Sequence, residues 1–177
     1  MIRLFTGVAL PDDLTRRLES LVGGIPGARW IEARNLHVTL CFIGEVEEGL
    51  AAELDEALVA LRAPRFQLSL HGFGTFGRAK PNHLWAAVDK APGLLHLQAK
   101  VEAAVSRAGV VPEGRKYVPH VTLARFKDAP LGRIQDFIAR NSPLTAEPWP
   151  VDRFILYRSH LGRSGAEYEA LAEYPLE

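Results

Sequence analysis

Two copies of one tetrapeptide, His37-Val38-Thr39-Leu40 and His120-Val121-Thr122-Leu123, put an imidazole two residues before a hydroxyl in each half of the chain. Val, Thr and Leu between apolar flanks favour strands. On a strand, side chains alternate between faces, so His37 pairs with Thr39 and His120 with Thr122, while the Val and Leu of each copy turn to a core. A shared packing role would explain the repeated Val and Leu but not the repeated His and Thr. Two facing imidazoles suit concerted acid and base catalysis, because His titrates near neutral pH and one ring can be neutral while the other is charged. A hydroxyl beside each ring can donate to an oxygen under attack, and two such donors match the two non-bridging oxygens of a phosphodiester. The pattern predicts phosphoryl chemistry in one site built from two halves.

Rival chemistries fit less well. A hydrolytic zinc site needs about three protein ligands, yet neither motif carries a carboxylate or second His at i+2 or i+4, and Thr is a poor zinc ligand, so no metal is expected. No Gly-x-Ser-x-Gly elbow and no phosphate-binding loop ending in Gly-Lys-Ser/Thr occurs. The single Cys41 excludes an internal disulfide. By strand parity its thiol shares the face of His37 and Thr39, which makes it a candidate nucleophile, although the second copy has Ala124 at the matching position. A different class, a module that binds RNA ends or a nucleotide without turnover, fits the Gly-rich stretch Gly72–Gly77 and the aromatic residues, but does not require two titratable groups in matching positions.

The elements that position these residues follow from periodicity. Residues 2–10 predict a strand, Pro11-Asp12-Asp13 opens a helix ended by Gly23-Gly24, and Arg29–Ile31 with Leu36–Ile43 predict two strands around a turn at Ala33-Arg34-Asn35. Leu50, Leu54, Leu58 and Leu61 have helical spacing, as do Leu94, Leu97, Val101 and Val105. Strands are expected over 66–71, 84–88 and 118–126, with a turn or bulge at Gly72–Gly77, a short helix near 132–140, and a final strand pair from Trp149–His160 and Ala166–Leu171. This order lacks regular βαβ alternation, so the expected class is α+β with mainly antiparallel sheets. No linker separates the halves. Residues 1–177 are expected to form one domain of two packed, pseudo-twofold-related lobes with the motifs facing across a groove.

Lys plus Arg equal Asp plus Glu at 21 each, so no global basic field exists and an anionic ligand must be caught locally. The basic residues are 16 Arg to 5 Lys, which favours forked recognition of phosphate. No apolar run approaches the ~20 residues of a membrane span, and no secretory signal opens the chain; a cytoplasmic monomer is expected.

The motifs and their flanks, Trp30-Ile31, Asn35-Leu36-His37, Phe42-Ile43-Gly44-Glu45-Val46, Tyr117-Val118-Pro119-His120, Thr122-Leu123-Ala124-Arg125 and Leu156-Tyr157-Arg158-Ser159, resemble the 2H phosphoesterase superfamily, in particular its bacterial LigT-like branch of RNA 2′,3′-cyclic phosphodiesterases, also called 2′-5′ RNA ligases. The resemblance spans about Phe5 to Leu176. It implies a bilobal fold, no cofactor, metal-independent hydrolysis of RNA 2′,3′-cyclic phosphate ends to 2′-phosphates, and reversible 2′-5′ ligation as a slow side activity. It also implies His37 as acid and His120 as base; Thr39 and Thr122 are expected to hold the phosphoryl oxygens, and Arg125 either to touch the phosphate or to form a surface or interlobe ion pair. Two features depart from the pattern. Asn82-His83 stands where related sequences often have a basic residue, and parity puts Arg125 out of phase with His120 and Thr122, so that it reaches the cleft only if the strand bends. Among the remaining residues, Phe42 is expected in the core, His96 in a structural role on its helix, and His83 and His160 at the groove rim.

Overall fold

The computed structural model describes every residue except Arg78. Among the described residues, three antiparallel sheets and four α-helices form the regular structure. The first sheet has four strands, β1 (Ile2–Ala9), β3 (His37–Val46), β9 (Arg153–Gly162) and β10 (Gly165–Pro175), in the order β10-β9-β1-β3. The second has β2 (Arg29–Trp30), β5 (Leu70–Phe76), β6 (His83–Val88) and β7 (His120–Arg125), in the order β2-β7-β6-β5. A two-stranded sheet pairs β4 (Phe66–Leu68) with β8 (Trp149–Val151). The helices are α1 (Asp12–Glu19), α2 (Glu48–Val59), α3 (Pro92–Arg107) and α4 (Leu131–Asn141). The α+β class with antiparallel sheets is as the sequence predicts, and each His motif opens a strand in a different four-stranded sheet.

The helices exist because each buries an apolar stripe. Leu54 and Leu58 of α2, Leu94, Leu97, Val101 and Val105 of α3, and Phe137 of α4 are all fully buried. Full burial of one such side chain is worth about 1.5–3 kcal/mol, which outweighs the weak start signals of α1, α2 and α4, none of which has a side-chain cap.

Three connections differ from the expectation. Arg29–Trp30 and the strand from His37 do not pair with each other: β2 pairs with β7 and β3 with β1. Between them a 3-10 turn, Ala33–Asn35, carries the chain from the second sheet to the first, with Ile31 N donating to Leu123 O at 2.9 Å just before the crossing. Trp149–His160 is two strands, because Pro150, which has no N–H to donate, sits in the small sheet and the chain changes sheets at Asp152. The stretch Gly72–Gly77 is largely strand. Its bulge lies between Leu70 and Phe73, where Gly72 takes a φ of 85° that a side chain rarely adopts.

Candidate active site

Each motif contains a β-bulge at its Leu. In β3, Thr39 pairs with Gly7 and Cys41 with Thr6, leaving Leu40 as the extra residue; in β7, Thr122 pairs with Trp85 and Ala124 with Leu84, leaving Leu123. An extra residue inverts the parity of everything after it. Cys41 therefore turns into the core at 7% exposure, where burial pushes its thiol up to about 11, and it is no candidate nucleophile. Phe42 turns outward to 40% exposure and lines the cleft, against the core position expected for it. Arg125, at the position in its motif that Phe42 holds in the first, is brought into phase with Thr122 by the same device.

The cleft between the sheets has a volume of about 140 Å³, and its walls include His37, Thr39, Thr122, Arg125 and Phe42. His120 is not part of that wall. Its ring stands two residues along β7 from Thr122, packed edge-on against Phe76 at 5.0 Å and tilted against Trp85 at 5.6 Å. His37 is caged in the same manner by Phe5 at 4.9 Å and edge-on by Tyr168 at 5.3 Å. Two glycines make room for these cages. A Cβ on Gly7 would lie 2.9 Å from Val38 O and 3.3 Å from the His37 ring, and one on Gly74 would lie 2.2 Å from the Trp85 indole.

The hydrogen bonding of the two rings is also repeated. Nδ1 of His37 meets Asn35 O at 2.8 Å, and Nδ1 of His120 meets Val118 O at 2.6 Å. In each case the acceptor is the carbonyl two residues upstream. A carbonyl accepts only, so Nδ1 carries the proton and Nε2 is left as the titrating atom. Nε2 of His37 lies 2.9 Å from Thr39 Oγ1. Burial lowers the pKa of both rings. That of His37 is lowered to about 4, with the Asn35 carbonyl opposing the shift and the positive charges of His120 and Arg125 adding to it. For His120 burial outweighs the opposing pull of Val118 O. His83 is lowered as well, by burial and then by Arg125 and His120, in agreement with its register opposite Arg125.

Two positioning residues carried no signal in the sequence beyond their closeness to the motifs. Asn35 is buried at 7% exposure; its Nδ2 donates to Ala166 O at 2.9 Å and its Oδ1 accepts from Tyr168 N at 3.4 Å, so its side chain pairs with β10 as a further strand residue would. Tyr117, just before the second motif, donates its hydroxyl to Thr39 O of the first at 2.7 Å. Burial raises its phenol pKa, so it stays a donor. The other histidines stand apart from the cleft chemistry. His96 is exposed on α3 and not packed, His71 is exposed, and His160 meets Glu169 at 2.7 Å. Among the described residues no three His, Cys, Asp or Glu side chains cluster as metal ligands, and no helix is long and apolar enough to cross a membrane.

Against known proteins, residues 10–163 match the profile of the 2′-5′ RNA ligase superfamily. The RNA 2′,3′-cyclic phosphodiesterase of Aeropyrum pernix is 36% identical over 153 residues, covering 85% of this chain and 86% of its own. That of Thermus thermophilus is 33% identical over 187 residues, covering 99% and 90%. The crystal structure of Escherichia coli LigT in apo form superposes with a TM-score of 0.81 at 26% identity, covering 99% of this chain and 97% of its own, and LigT has also been solved with 3′-AMP. This chain belongs to the 2′-5′ RNA ligase superfamily.

Proposed function

We propose that this protein hydrolyses 2′,3′-cyclic phosphates at RNA ends to 2′-phosphates, with His37 and His120 as the acid-base pair and Thr39, Thr122 and Arg125 as the phosphate ligands. The observation that carries the reading is the repeated geometry of the imidazoles: each Nδ1 is tied to the carbonyl two residues upstream, which leaves each Nε2 as the titrating atom, and at His37 that Nε2 meets the Thr39 hydroxyl of its own strand. The names of the relatives, RNA 2′,3′-cyclic phosphodiesterase, support the substrate class. The reading includes one domain of two lobes over residues 1–177, supported by a single buried cluster running from Leu4 to Leu176, and a cytoplasmic monomer.

In the proposed reaction one neutral imidazole takes a proton from water as its oxygen attacks phosphorus. The bond from phosphorus to O3′ breaks, and the protonated partner delivers its proton to O3′. With His37 as acid and His120 as base, as the family resemblance implies, the acid's proton must be held against a lowered pKa, and the negative phosphodiester between the rings supplies the opposing charge. Proton and hydroxyl are coupled at His37. When Nε2 is bare, Thr39 donates to it; when Nε2 carries a proton it donates to Thr39 Oγ1, which frees the hydroxyl hydrogen for a phosphoryl oxygen. Ligation of a 2′-5′ bond is the same step with an RNA 5′-hydroxyl in place of water as the attacking group, and its reverse, attack of O3′ on the 2′-5′ phosphodiester, releases the 5′-hydroxyl and re-forms the cyclic phosphate.

The test is product analysis on an RNA ending in a 2′,3′-cyclic phosphate, with and without chelator. A 2′-phosphate product in both conditions is expected. A 3′-phosphate product would show that the other ester bond breaks, loss of turnover with chelator would require a metal, and no turnover on any cyclic phosphate would favour a binding module.

A further inference from the structure

A row of basic side chains crosses the second sheet. Arg29 on β2 and His83 on β6 stand opposite Arg125 in register, one on each side of β7. Arg125 lines the cleft, and so does Ile31, two residues along from Arg29, so the row lies on the cleft face. The adjoining row, Trp30, Ala124 and Leu84, turns the other way: Trp30 packs on Phe137 of α4 at 5.4 Å, and Ala124 and Leu84 are fully buried. Like charges directly opposite one another on a sheet destabilise it, and no carboxylate offsets them here. Among the described residues neither Arg29 nor Arg125 has a carboxylate partner. The acidic residues that follow β2 and β7 are engaged elsewhere, Glu32 by Arg34 at 2.8 Å and Asp128 by Lys80 at 3.2 Å. His83 faces Phe76 on β5, 6.3 Å between centroids, and its Nδ1 donates to Asn82 Oδ1 at 2.6 Å, which leaves Nε2 open. Burial, then Arg125 and His120, lower its pKa. The empty row therefore holds two fixed charges beside a neutral ring.

We infer that Arg29 and His83 join Arg125 in a subsite for the phosphomonoester dianion that the reaction forms, so that the enzyme holds its 2′-phosphate product more tightly than its cyclic substrate and is inhibited by it. The inference rests on the proposed function. Hydrolysis adds the elements of water: the oxygen goes to phosphorus, a proton goes to O3′, and the new P–OH loses its own proton at about pH 6. A singly charged diester thus becomes a doubly charged monoester. The threonines of the two motifs can donate to the oxygens of either species, so the added charge is what separates product from substrate. Two guanidinium forks side by side suit a terminal phosphate with three free oxygens, and they gain most from the second charge. The same charge favours the protonated form of His83, whose open Nε2 then becomes a third donor.

The experiment measures KM for adenosine 2′,3′-cyclic monophosphate and the inhibition constant Ki of its product, adenosine 2′-monophosphate, at a pH above the second phosphate ionisation. Ki is expected to lie roughly 10-fold or more below KM, the scale of one further charge-assisted contact. Arg29→Gln should raise Ki about 10-fold and KM by a much smaller factor, closing the gap between them. His83→Lys makes the third charge of the row permanent and should lower Ki further, a gain that misfolding cannot produce. A Ki equal to or above KM in the unaltered protein overturns the subsite while leaving the proposed function standing. So does an Arg29→Gln variant that moves Ki and KM by the same factor, or a His83→Lys variant that binds the product more weakly. No hydrolysis of the cyclic nucleotide overturns the proposed function and the product inhibition with it.

Discussion

Asn35→Ala tests how the fold holds its first imidazole. The side chain spans from the 3-10 turn to β10, and its own carbonyl fixes Nδ1 of His37. The substitution removes two hydrogen bonds. The 2.9 Å bond to Ala166 O has ordinary length and is worth about 1 kcal/mol net, while the 3.4 Å bond from Tyr168 N is at the limit of a hydrogen bond and adds a fraction of that. The exposed ion pairs of Arg34 with Glu32 and Glu167 tie the same turn to the hairpin but contribute little. The expected loss is therefore about 1–2 kcal/mol, or about 2–8 °C in Tm for a chain of this size. The catalytic loss should be larger in proportion: with the turn released, a displacement of His37 by about 1 Å lowers kcat roughly 10- to 100-fold, with KM little changed. Thermal denaturation followed by circular dichroism gives the first quantity, and steady-state kinetics on a 2′,3′-cyclic nucleotide the second. A fall in Tm with kcat intact would refute the reasoning, since the clamp would then hold the hairpin but not the histidine.

Three further outcomes are expected. Gly74→Ala puts a Cβ 2.2 Å from the Trp85 indole, which packs on His120; overpacking of this kind costs about 1–3 kcal/mol, and both Tm and kcat should fall, whereas unchanged kcat would show that Trp85 does not position His120. Arg125→Ala removes a guanidinium brought into the cleft by the Leu123 bulge and should lower kcat/KM roughly 10- to 150-fold, the scale of a hydrogen bond to a charged group; an unaltered kcat/KM would take Arg125 out of the phosphate site. Cys41, buried with its thiol pushed up to about 11, should resist alkylation by iodoacetamide at pH 8 in the native protein, and rapid labelling with loss of activity would contradict the inward turn of β3.

The pairing of His with Thr was legible in the sequence because strand parity acts over two residues, a span too short for a bulge to disturb. Beyond the Leu of each motif parity failed, and it misplaced Cys41, Phe42 and Arg125 together. A signal was present: Leu40-Cys41 and Leu123-Ala124 are adjacent apolar pairs that break the alternation at the same place in both copies, and buried neighbours on one face are what a bulge produces. The helices were recovered because long apolar stripes have one periodicity. The pairing of β2 with β7 was not, since a two-residue strand has no pattern of its own and its partner is fixed by where the 3-10 turn sends the chain. Asn35 and Tyr117 act on backbone carbonyls distant in sequence, and interactions of that kind leave no trace in spacing.

The pH dependence of kcat/KM on a 2′,3′-cyclic nucleotide, with chemistry rate-limiting, tests the two-histidine account most directly. The competent pair holds one proton, a state that exists between its two apparent pKa values, which belong to the pair and not to either ring. His37 is lowered to about 4 and His120 is lowered from 6.5. Activity should therefore rise from the acid side as the first proton leaves, peak below pH 6.5, and fall as the second is lost. Replacing His37 or His120 with Ala should lower turnover roughly 10²- to 10⁴-fold and abolish one limb of the bell in what remains. A profile flat from about pH 5 to pH 9, well across the ordinary His range, or near-normal rates in both single variants, would contradict the account.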